Sequence, residues 1–317
     1  MRTAFIRTLE ELAESDDRLE LIVGDLGFGV VETFAERFPS RFHNVGVAEQ
    51  NMTGVAVGLA LSGSVVFTYS LANFPTLRCL EQIRNDACYH RADVKVVAVG
   101  GGFAYGSLGV SHHATEDLAV LRVIPNLLVA APGDAFESSA ITRQMVATPG
   151  PAYMRLSKAG EPVVHDREPD LRPGRSVTLL EGTEVTLLST GGMLPVARDA
   201  ALALESHGVS VRCVSMPWLW PFDSDTVLRA GQETGLVVTL EEHSVIGGLG
   251  GAVCEVLAEL PSHAPVLRLG VPRTFAPVVG TQDYLRSLYE LDQPSVVKRV
   301  LDACRRNARV GARSALG

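Results

Sequence analysis

Short apolar runs alternate with segments of helical periodicity along most of this 317-residue chain. The run Val94–Val99 is almost entirely apolar, which is typical of a strand in a parallel sheet covered on both faces. The alternation favours parallel strands joined by right-handed crossovers, and it is interrupted by a segment rich in proline and charge. We therefore predict an α/β protein of two domains, each a mostly parallel sheet flanked by helices, at residues 1–160 and 174–317 with a linker at 161–173.

The most distinctive segment is 44–61, which reads NVGVAEQNMTGVAVGLAL. Small apolar residues dominate it, so it predicts a turn at a strand end that leads into a buried helix beginning near Glu49. A lone buried carboxylate is costly, so Glu49 must either be protonated or share a proton with a partner. The structural alternative is that Glu49 only stabilises the helix N-terminus, where the helix dipole favours negative charge.

Composition excludes several classes of protein. Hydrophobic residues make up 46% of the chain and charged residues 20%, a profile that argues against disorder. The net charge of -8 disfavours nucleic acid or an anionic membrane as the main partner. The five cysteines are odd in number and form no CxxC pair, so we predict no metal site and a reducing, cytoplasmic location. The segment after Arg305 is basic, rich in alanine and glycine, and predicted to fray.

Several sequence blocks resemble the transketolase family. Four blocks follow the segment 44–61 and, together with it, resemble the family's pyrimidine-binding domain: Thr68-Tyr69, Gln82-Ile83-Arg84-Asn85, Ser111-His112-His113 and Leu121-Arg122-Val123-Ile124-Pro125-Asn126. The block EEHSVIGGLG at 241–250 resembles the family's C-terminal domain. These blocks occur in the family's order and span nearly the whole chain. The resemblance implies a pyrimidine-binding domain followed by a transketolase C-terminal domain.

The resemblance also implies thiamine diphosphate as the cofactor, with Glu49 as the group that activates it. In the family, a carboxylic acid hydrogen-bonds the pyrimidine ring and favours its imino tautomer, which then deprotonates the thiazolium carbon. The ylid attacks a ketose carbonyl and carries a two-carbon ketol unit from a ketose or ketose phosphate donor to an aldose acceptor. Glu49 stands at the matching position, among small apolar residues.

Three more residues are expected near the cofactor because of this resemblance. Tyr69 matches an aromatic residue that stacks on the pyrimidine ring, although an aromatic at a strand end is more often plain core. Phe74 could replace stacking aromatics that the family carries at positions occupied here by Ala72 and Pro75. Asp25 matches an acidic position close to the cofactor, although aspartate in a glycine-rich turn needs no function.

Residues 100–113 are rich in glycine, which predicts a loop whose backbone another group approaches closely. Substrate residues are expected in this glycine-rich loop and after the last strand of the first domain. His112 is the predicted catalytic histidine for proton transfer, and His113 is its neighbour in the substrate site. Arg155 and Lys158 would supply positive charge to the substrate. The family's sugar-phosphate site is nevertheless eroded, because four of its polar positions fall on different residues here: Gly29, Gly100, Leu108 and Lys158.

One family motif is absent from the sequence. No GDG followed by an asparagine pair occurs, and this motif holds magnesium and the diphosphate group in the family; Gly24-Asp25-Leu26-Gly27 does not match it. We therefore expect the C-terminal subunit of a split transketolase, with an N-terminal subunit that carries the motif and binds most of the Mg²⁺. A two-plus-two heterotetramer with two-fold symmetry is the predicted assembly.

Two alternatives remain open from the sequence. The chain could be the beta-type subunit of another thiamine-dependent synthase or of a 2-oxo-acid dehydrogenase. It could also be a non-catalytic paralogue that kept the fold, although the joint presence of Glu49, Tyr69 and His112 argues for activity. The donor and acceptor, and whether they carry phosphate, do not follow from the sequence.

Overall fold

The computed structural model describes residues 1–314, with side chains described up to residue 307. Its strands are β1 Leu19–Val23, β2 Phe42–Asn44, β3 Val65–Leu71, β4 Val94–Val99, β5 Leu128–Ala130, β6 Ala152–Leu156, β7 Val177–Leu180, β8 Val185–Ser189, β9 Val211–Ser215, β10 Trp218–Trp220, β11 Leu236–Ser244 and β12 Val266–Val271. Its α-helices are α1 Arg2–Ala13, α2 Glu32–Arg37, α3 Glu49–Leu61, α4 Leu80–Gln82, α5 Asp117–Arg122, α6 Ala135–Ala147, α7 Leu194–Ser206, α8 Ser224–Glu233, α9 Leu249–Leu257, α10 Gln282–Leu288 and α11 Gln293–Ser314.

The first sheet has the strand order β10-β5-β6-β4-β3-β1-β2, and all its pairings are parallel except β10 with β5. Successive side chains of a strand point to opposite faces of the sheet. On one face Phe67 packs in a core with Phe5 of α1 and Ile141 of α6. On the other face Val66 packs in a core with Met52 of α3. Helices on both faces of a mostly parallel sheet confirm the predicted α/β fold class.

The second sheet has the order β12-β11-β8-β9-β7, and only β7 runs antiparallel to its neighbour. Helices α7 and α11 cover one face, and α8 and α9 cover the other. Residues of α5 in the first part of the chain share one apolar core with residues of α9. The two sheets are thus joined by continuous packing.

Strand β10 crosses the predicted domain division. It follows β9 in the second part of the chain, yet Trp218 and Trp220 pair with Ala130 and Val129 of β5 at the edge of the first sheet. Trp218 is buried there. The domain limits remain a prediction, but a cut at the linker would remove one strand from the first sheet.

Two segments whose sequence predicts a helix, 44–61 and 77–90, fold differently. The segment 44–61 forms α3, which begins at Glu49 as predicted and buries Met52, Thr53, Ala56 and Val57. The segment 77–90 is not one regular helix, because a 3₁₀ turn at Leu77–Cys79 is followed by α4 and by π-helical turns at Ile83–Cys88. The backbone of α11 reaches Ser314, and the remaining part of the predicted frayed tail, 315–317, lies outside the described residues. None of the described helices combines the length and the apolar character that crossing a membrane requires.

Candidate active site

The candidate site lies at the carboxyl edge of the first sheet. Strand β1 leads there into Gly24, β3 into the segment from Ala72, β4 into the glycine-rich loop from Gly100, and β6 into Ser157 and Lys158. Open parallel sheets bind ligands at this edge, because the loops that follow neighbouring strands meet there. The fold therefore brings together segments that are far apart in sequence.

Glu49 is a buried acidic group at this edge. It is the first residue of α3 and only 2% of it is exposed. Its Oε2 accepts a hydrogen bond from Arg78 Nη1 at 2.7 Å, and its Oε1 accepts one from the Ser70 hydroxyl at 3.3 Å. The backbone at Gly24 passes close by, since a Cβ atom added there would lie 3.7 Å from Glu49 Oε1. Glu49 is therefore a buried carboxylate with a charged partner on its open side.

Phe74 is linked to Glu49 through Arg78. The backbone turns at Ala72, whose φ of +41° is in the left-handed region that residues with a side chain rarely adopt. This turn directs the following segment back over the sheet edge, where Arg78 lies over the Phe74 ring at 4.5 Å from its centroid. Asn73 Nδ2 donates to the His113 carbonyl at 2.6 Å and ties this segment to the glycine-rich loop.

A row of ring contacts continues from Phe74 along the site. The His112 ring meets the Phe74 ring edge-on with centroids 5.1 Å apart, and it meets the Tyr105 ring at 6.4 Å. The Lys158 ammonium lies 5.2 Å from the centroid of Tyr105. His112 is half-buried, and its Nδ1 is 3.0 Å from the Ser111 hydroxyl. The structure thus brings Phe74, His112 and Lys158 into one row that begins at Arg78.

Tyr69 is not part of this arrangement. It is 1% exposed and packs parallel to Phe5 of α1, with the ring centroids 6.1 Å apart. Because Tyr69 and Ser70 are adjacent on β3, they face opposite sides of the sheet, and it is Ser70 that reaches Glu49. Burial raises the pKa of Tyr69, as expected of a core phenol. The placement contradicts the predicted stacking role of Tyr69.

Arg155 and His113 are also placed differently from the prediction. Arg155 is buried at the junction of the two sheets, where Nη2 donates to the Glu242 carbonyl at 2.6 Å and Nη1 lies 3.4 Å from Asp117. Its charge is therefore already paired inside the protein. The buried His113 ring packs edge-on against Phe103, and its Nε2 is 3.1 Å from the Gly106 carbonyl. Neither side chain fits the predicted contact with substrate.

Asp25 lies at the exposed rim of the site, next to Gly24. Its φ of +55° is left-handed, and the Asn44 side chain stabilises this turn. Asn44 Oδ1 accepts from the Asp25 backbone N–H at 3.0 Å, while Asn44 Nδ2 donates to Asp25 Oδ1 at 3.1 Å. Asp25 is thus held in a fixed turn next to Gly24, and its place beside the cofactor stays a prediction.

The glycine-rich loop makes close approaches to side chains of the protein itself. A Cβ atom at Gly100 would collide with the Tyr105 ring, one at Gly101 with Arg155, and one at Gly102 would lie 2.6 Å from Glu242 Cγ. The sequence predicted a close approach but not its partners. Tyr105 fills the space beside Gly100, one of the four positions at which the family's polar sugar-phosphate residues are replaced.

Sequence reasoning missed Arg78, Ser70 and Tyr105. Arg78 follows Phe74 by four residues in a segment that reads as an ordinary helix, and its charge was the only signal. Ser70 was overlooked because it follows Tyr69, which attracted the stacking role. No cluster of three or more His, Cys, Asp or Glu side chains suited to a metal ion occurs among the described residues. A carboxyl group beside an aromatic face is suited to a flat heterocycle that carries a ring nitrogen.

Family profiles match the chain in two successive parts. The transketolase pyrimidine-binding domain matches residues 1–161, which is just over half of the chain. The chain belongs to the transketolase family. The transketolase C-terminal domain follows at residues 174–296.

Relatives within the transketolase family fall into two kinds by length. The chain is 36% identical over 95% of its length to one subunit of the apulose-4-phosphate transketolase of Phocaeicola vulgatus, and it covers 96% of that subunit. It is 35% identical over 93% of its length to a 1-deoxy-D-xylulose-5-phosphate synthase of Heliobacterium modesticaldum, but it covers only 45% of that protein.

A solved structure agrees with the first kind of relative. It is described as a split-gene transketolase in an inactive beta4 tetramer, with a TM-score of 0.88 and 40% sequence identity. The match covers 96% of this chain and 98% of that one. The chain therefore corresponds to the beta-type subunit of a split, transketolase-like thiamine enzyme.

Proposed function

We propose that this chain, with an N-terminal subunit, transfers a two-carbon ketol unit from a ketose or ketose phosphate to an aldose. The observation that carries this proposal is Glu49, a buried carboxylate that begins α3 at the carboxyl edge of the sheet and is linked through Arg78 to the Phe74 ring. Similarity over nearly the full length of a transketolase subunit supports the reaction type.

Glu49 would hold the pyrimidine ring of thiamine diphosphate. Its environment fits this task, since the carboxylate is enclosed by α3 and β3 while one oxygen faces the open side, where Arg78 reaches it. A hydrogen bond from a carboxyl group to a ring nitrogen needs such an enclosed, fixed acid. When bound, thiamine diphosphate supplies the electron sink for carbon–carbon bond cleavage.

Phe74 would provide the stacking face for the ring, in place of Tyr69. Its ring already packs against a flat cationic group, the guanidinium of Arg78, which also donates a hydrogen bond to Glu49. Asp25, fixed by Asn44, would flank the ring at the rim of the site. Together these residues would orient the pyrimidine half of the cofactor.

His112 would move protons during cleavage and transfer. Its half-buried ring lies between Phe74 and Tyr105, and Ser111 orients its Nδ1 atom. Histidine titrates near neutral pH and can both accept and donate a proton. Lys158, over the Tyr105 ring, would attract an anionic part of the substrate.

The second subunit would supply what this chain lacks. We propose that it binds the diphosphate group and Mg²⁺ through the missing GDG and asparagine motif. Apolar side chains exposed around the site give it a docking surface that both parts of the chain build: Phe28, Val47, Leu77, Val110 and Phe275. We propose a two-plus-two heterotetramer, located in the cytoplasm. A similar split-gene transketolase chain forms an inactive beta4 tetramer, which supports the need for a second kind of subunit.

A second candidate reaction is that of a thiamine-dependent synthase. The 35% identity to a 1-deoxy-D-xylulose-5-phosphate synthase favours it, but this chain covers only 45% of that relative. The two reactions differ in their donor. A synthase of that kind would release carbon dioxide from a 2-oxo acid, whereas a transketolase would consume a ketose without releasing gas.

Calorimetric titration of thiamine diphosphate with Mg²⁺ tests the proposal. The cofactor is added to this chain alone, to the N-terminal subunit encoded in the same genome, and to their mixture. We expect tight binding only in the mixture, because each chain would hold one half of the cofactor. Pyrophosphate with Mg²⁺ is the control ligand, since it fits only the half assigned to the second subunit.

Two results would contradict the proposal. Tight cofactor binding by this chain alone would mean that a diphosphate site lies within its own residues. Absence of binding in a mixture that forms a stable complex would refute the cofactor assignment. A complex that binds the cofactor is then supplied with ketoses and with 2-oxo acids, and carbon dioxide release distinguishes the two reactions.

A further inference from the structure

Arg78 contacts both groups to which the cofactor ring is assigned. Its guanidinium donates to Glu49 Oε2 at 2.7 Å and lies 4.5 Å from the centroid of the Phe74 ring. The guanidinium is planar, carries several N–H donors and stacks readily on aromatic rings. It therefore makes the same two kinds of contact that a flat heterocycle would make with Glu49 and Phe74.

A single position between Glu49 and Phe74 cannot hold two flat groups. The Arg78 guanidinium is there already, whereas the Ser70 hydroxyl approaches Glu49 from the sheet side and leaves the open side to Arg78. Arg78 is 46% exposed and its long side chain can swing into solvent. A ring entering from the open side would meet Arg78 first.

We propose that Arg78 is the resident occupant of the pyrimidine position and that cofactor binding displaces it. The inference rests on the proposed function, because it takes the assignment of Glu49 and Phe74 to the cofactor as given. It adds a residue for which neither the sequence resemblance nor the predicted site gave a role. Arg78 is a positioning residue in this scheme and takes no part in the chemistry.

The arginine has a physical reason to be there. Glu49 without a partner would be a buried charge, and leaving such a charge unpaired is strongly destabilising. Arg78 pairs with the carboxylate as long as the ring is absent, and the ring takes over when it binds. Breaking the ion pair and the stacking contact costs free energy, which weakens the apparent affinity for the cofactor. The same holds for any site whose binding-competent conformation is only a minor population.

The test measures thiamine diphosphate affinity in the assembled two-subunit complex with Mg²⁺ present. We expect R78A to bind the cofactor roughly tenfold more tightly than the unaltered complex, because nothing has to be displaced. R84A is the matched control, since Arg84 lies on the next turns and the only hydrogen bond described for its side chain is to the neighbouring Asn85. R84A should leave the affinity unchanged.

A second variant covers the case in which R78A does not fold. R78K keeps a positive charge for Glu49 but lacks the planar group that stacks on Phe74. It should therefore bind the cofactor more tightly than the unaltered complex, and less tightly than R78A where R78A folds. Unchanged or weaker binding in both Arg78 variants would overturn the inference and would show that Arg78 supports Glu49 with the cofactor in place. If no complex binds the cofactor, R84A included, it is the proposed function that fails.

Discussion

Two buried glutamates show how the same side chain is used in two regions of the molecule. Glu49 lies at the edge of the first sheet, and Glu242 lies at the junction of the two sheets; 2% and 6% of them are exposed. Glu242 accepts from the Phe103 backbone N–H at 2.9 Å, from Gln282 at 2.9 Å and from Arg286 at 2.7 Å. Its partners come from both parts of the chain.

The difference lies in how easily the partners can leave. Arg286 is 15% exposed and also donates to the Gly192 carbonyl, so its guanidinium is held on two sides. Arg78 is 46% exposed, and among the described residues its guanidinium otherwise contacts only the face of Phe74. A carboxylate whose partners are fixed stabilises a structure, whereas a carboxylate with one removable partner can exchange it for a ligand. Burial alone therefore does not distinguish a structural acid from a functional one.

The largest expected effect is the loss of activity when Glu49 loses its acid. In the two-subunit complex, E49Q should lower kcat by about 100-fold or more, a loss typical of removing a positioned acid or base. The amide has nearly the same shape as the carboxyl group but cannot share a proton with a ring nitrogen. The measurement is steady-state turnover with a ketose donor at saturating cofactor.

The effect of E49Q should not come from unfolding. Removal of the charge leaves Arg78 free to be solvated, since its guanidinium is already partly exposed. We expect the unfolding midpoint of the chain in urea to stay close to that of the unaltered protein. Full turnover by E49Q would show that Glu49 is only a helix-start residue, and the contrast with Glu242 would then disappear.

The second prediction concerns Glu242, where stability should change and cofactor binding should not. E242Q should lower the free energy of unfolding by about 3 kcal/mol, because it leaves the Arg286 charge without its partner at a buried junction. Chemical denaturation of the chain measures this loss. At denaturant concentrations below the unfolding transition, the cofactor affinity of the complex should be unchanged. A weaker affinity without a stability loss would place Glu242 in the active site.

Much of the candidate site follows from the sequence because it depends on local pattern. The run of small residues after Glu49 specifies a closely packed helix, and its start fixes the position of the carboxylate. The glycines from Gly100 onward indicate a backbone that other groups approach closely. The apolar strands and their alternation with helices give the α/β class without any knowledge of contacts.

The rest could not be predicted, because it depends on which elements pack together. Whether Tyr69 or Ser70 faces Glu49 depends on the face of β3 that α3 covers, and a shift of one residue exchanges the two. Arg155 was read as a free charge because its partner Asp117 lies on another element. The short strand β10 carries no signal that it joins a sheet formed by residues 19 to 156.

A third buried glutamate, Glu137 of α6, gives the smallest expected effect, because its partner titrates. Glu137 Oε1 lies 2.8 Å from Nε2 of His165, a residue of the segment between the two sheets. The Asp134 carboxylate accepts from the backbone N–H groups of Val164 and His165, both at 2.9 Å. Burial by itself would lower the pKa of His165, but Glu137, Asp134 and Asp166 raise it above its ordinary value of 6.5.

The raised pKa of His165 fixes the sign of the pH dependence. The unfolded chain holds this proton less tightly than the folded one, so the ion pair contributes fully below pH 6.5 and is lost as the pH rises through the folded pKa. We expect the free energy of unfolding to fall modestly over that interval and H165Q to remove this part of the decrease. His207 is exposed, so H207Q is the matched control and should keep the full decrease. An unaltered pH profile in H165Q would mean that Glu137 is satisfied by neutral partners, here the Gly133 N–H at 2.6 Å, and that of the three glutamates only Glu49 depends on a removable charge.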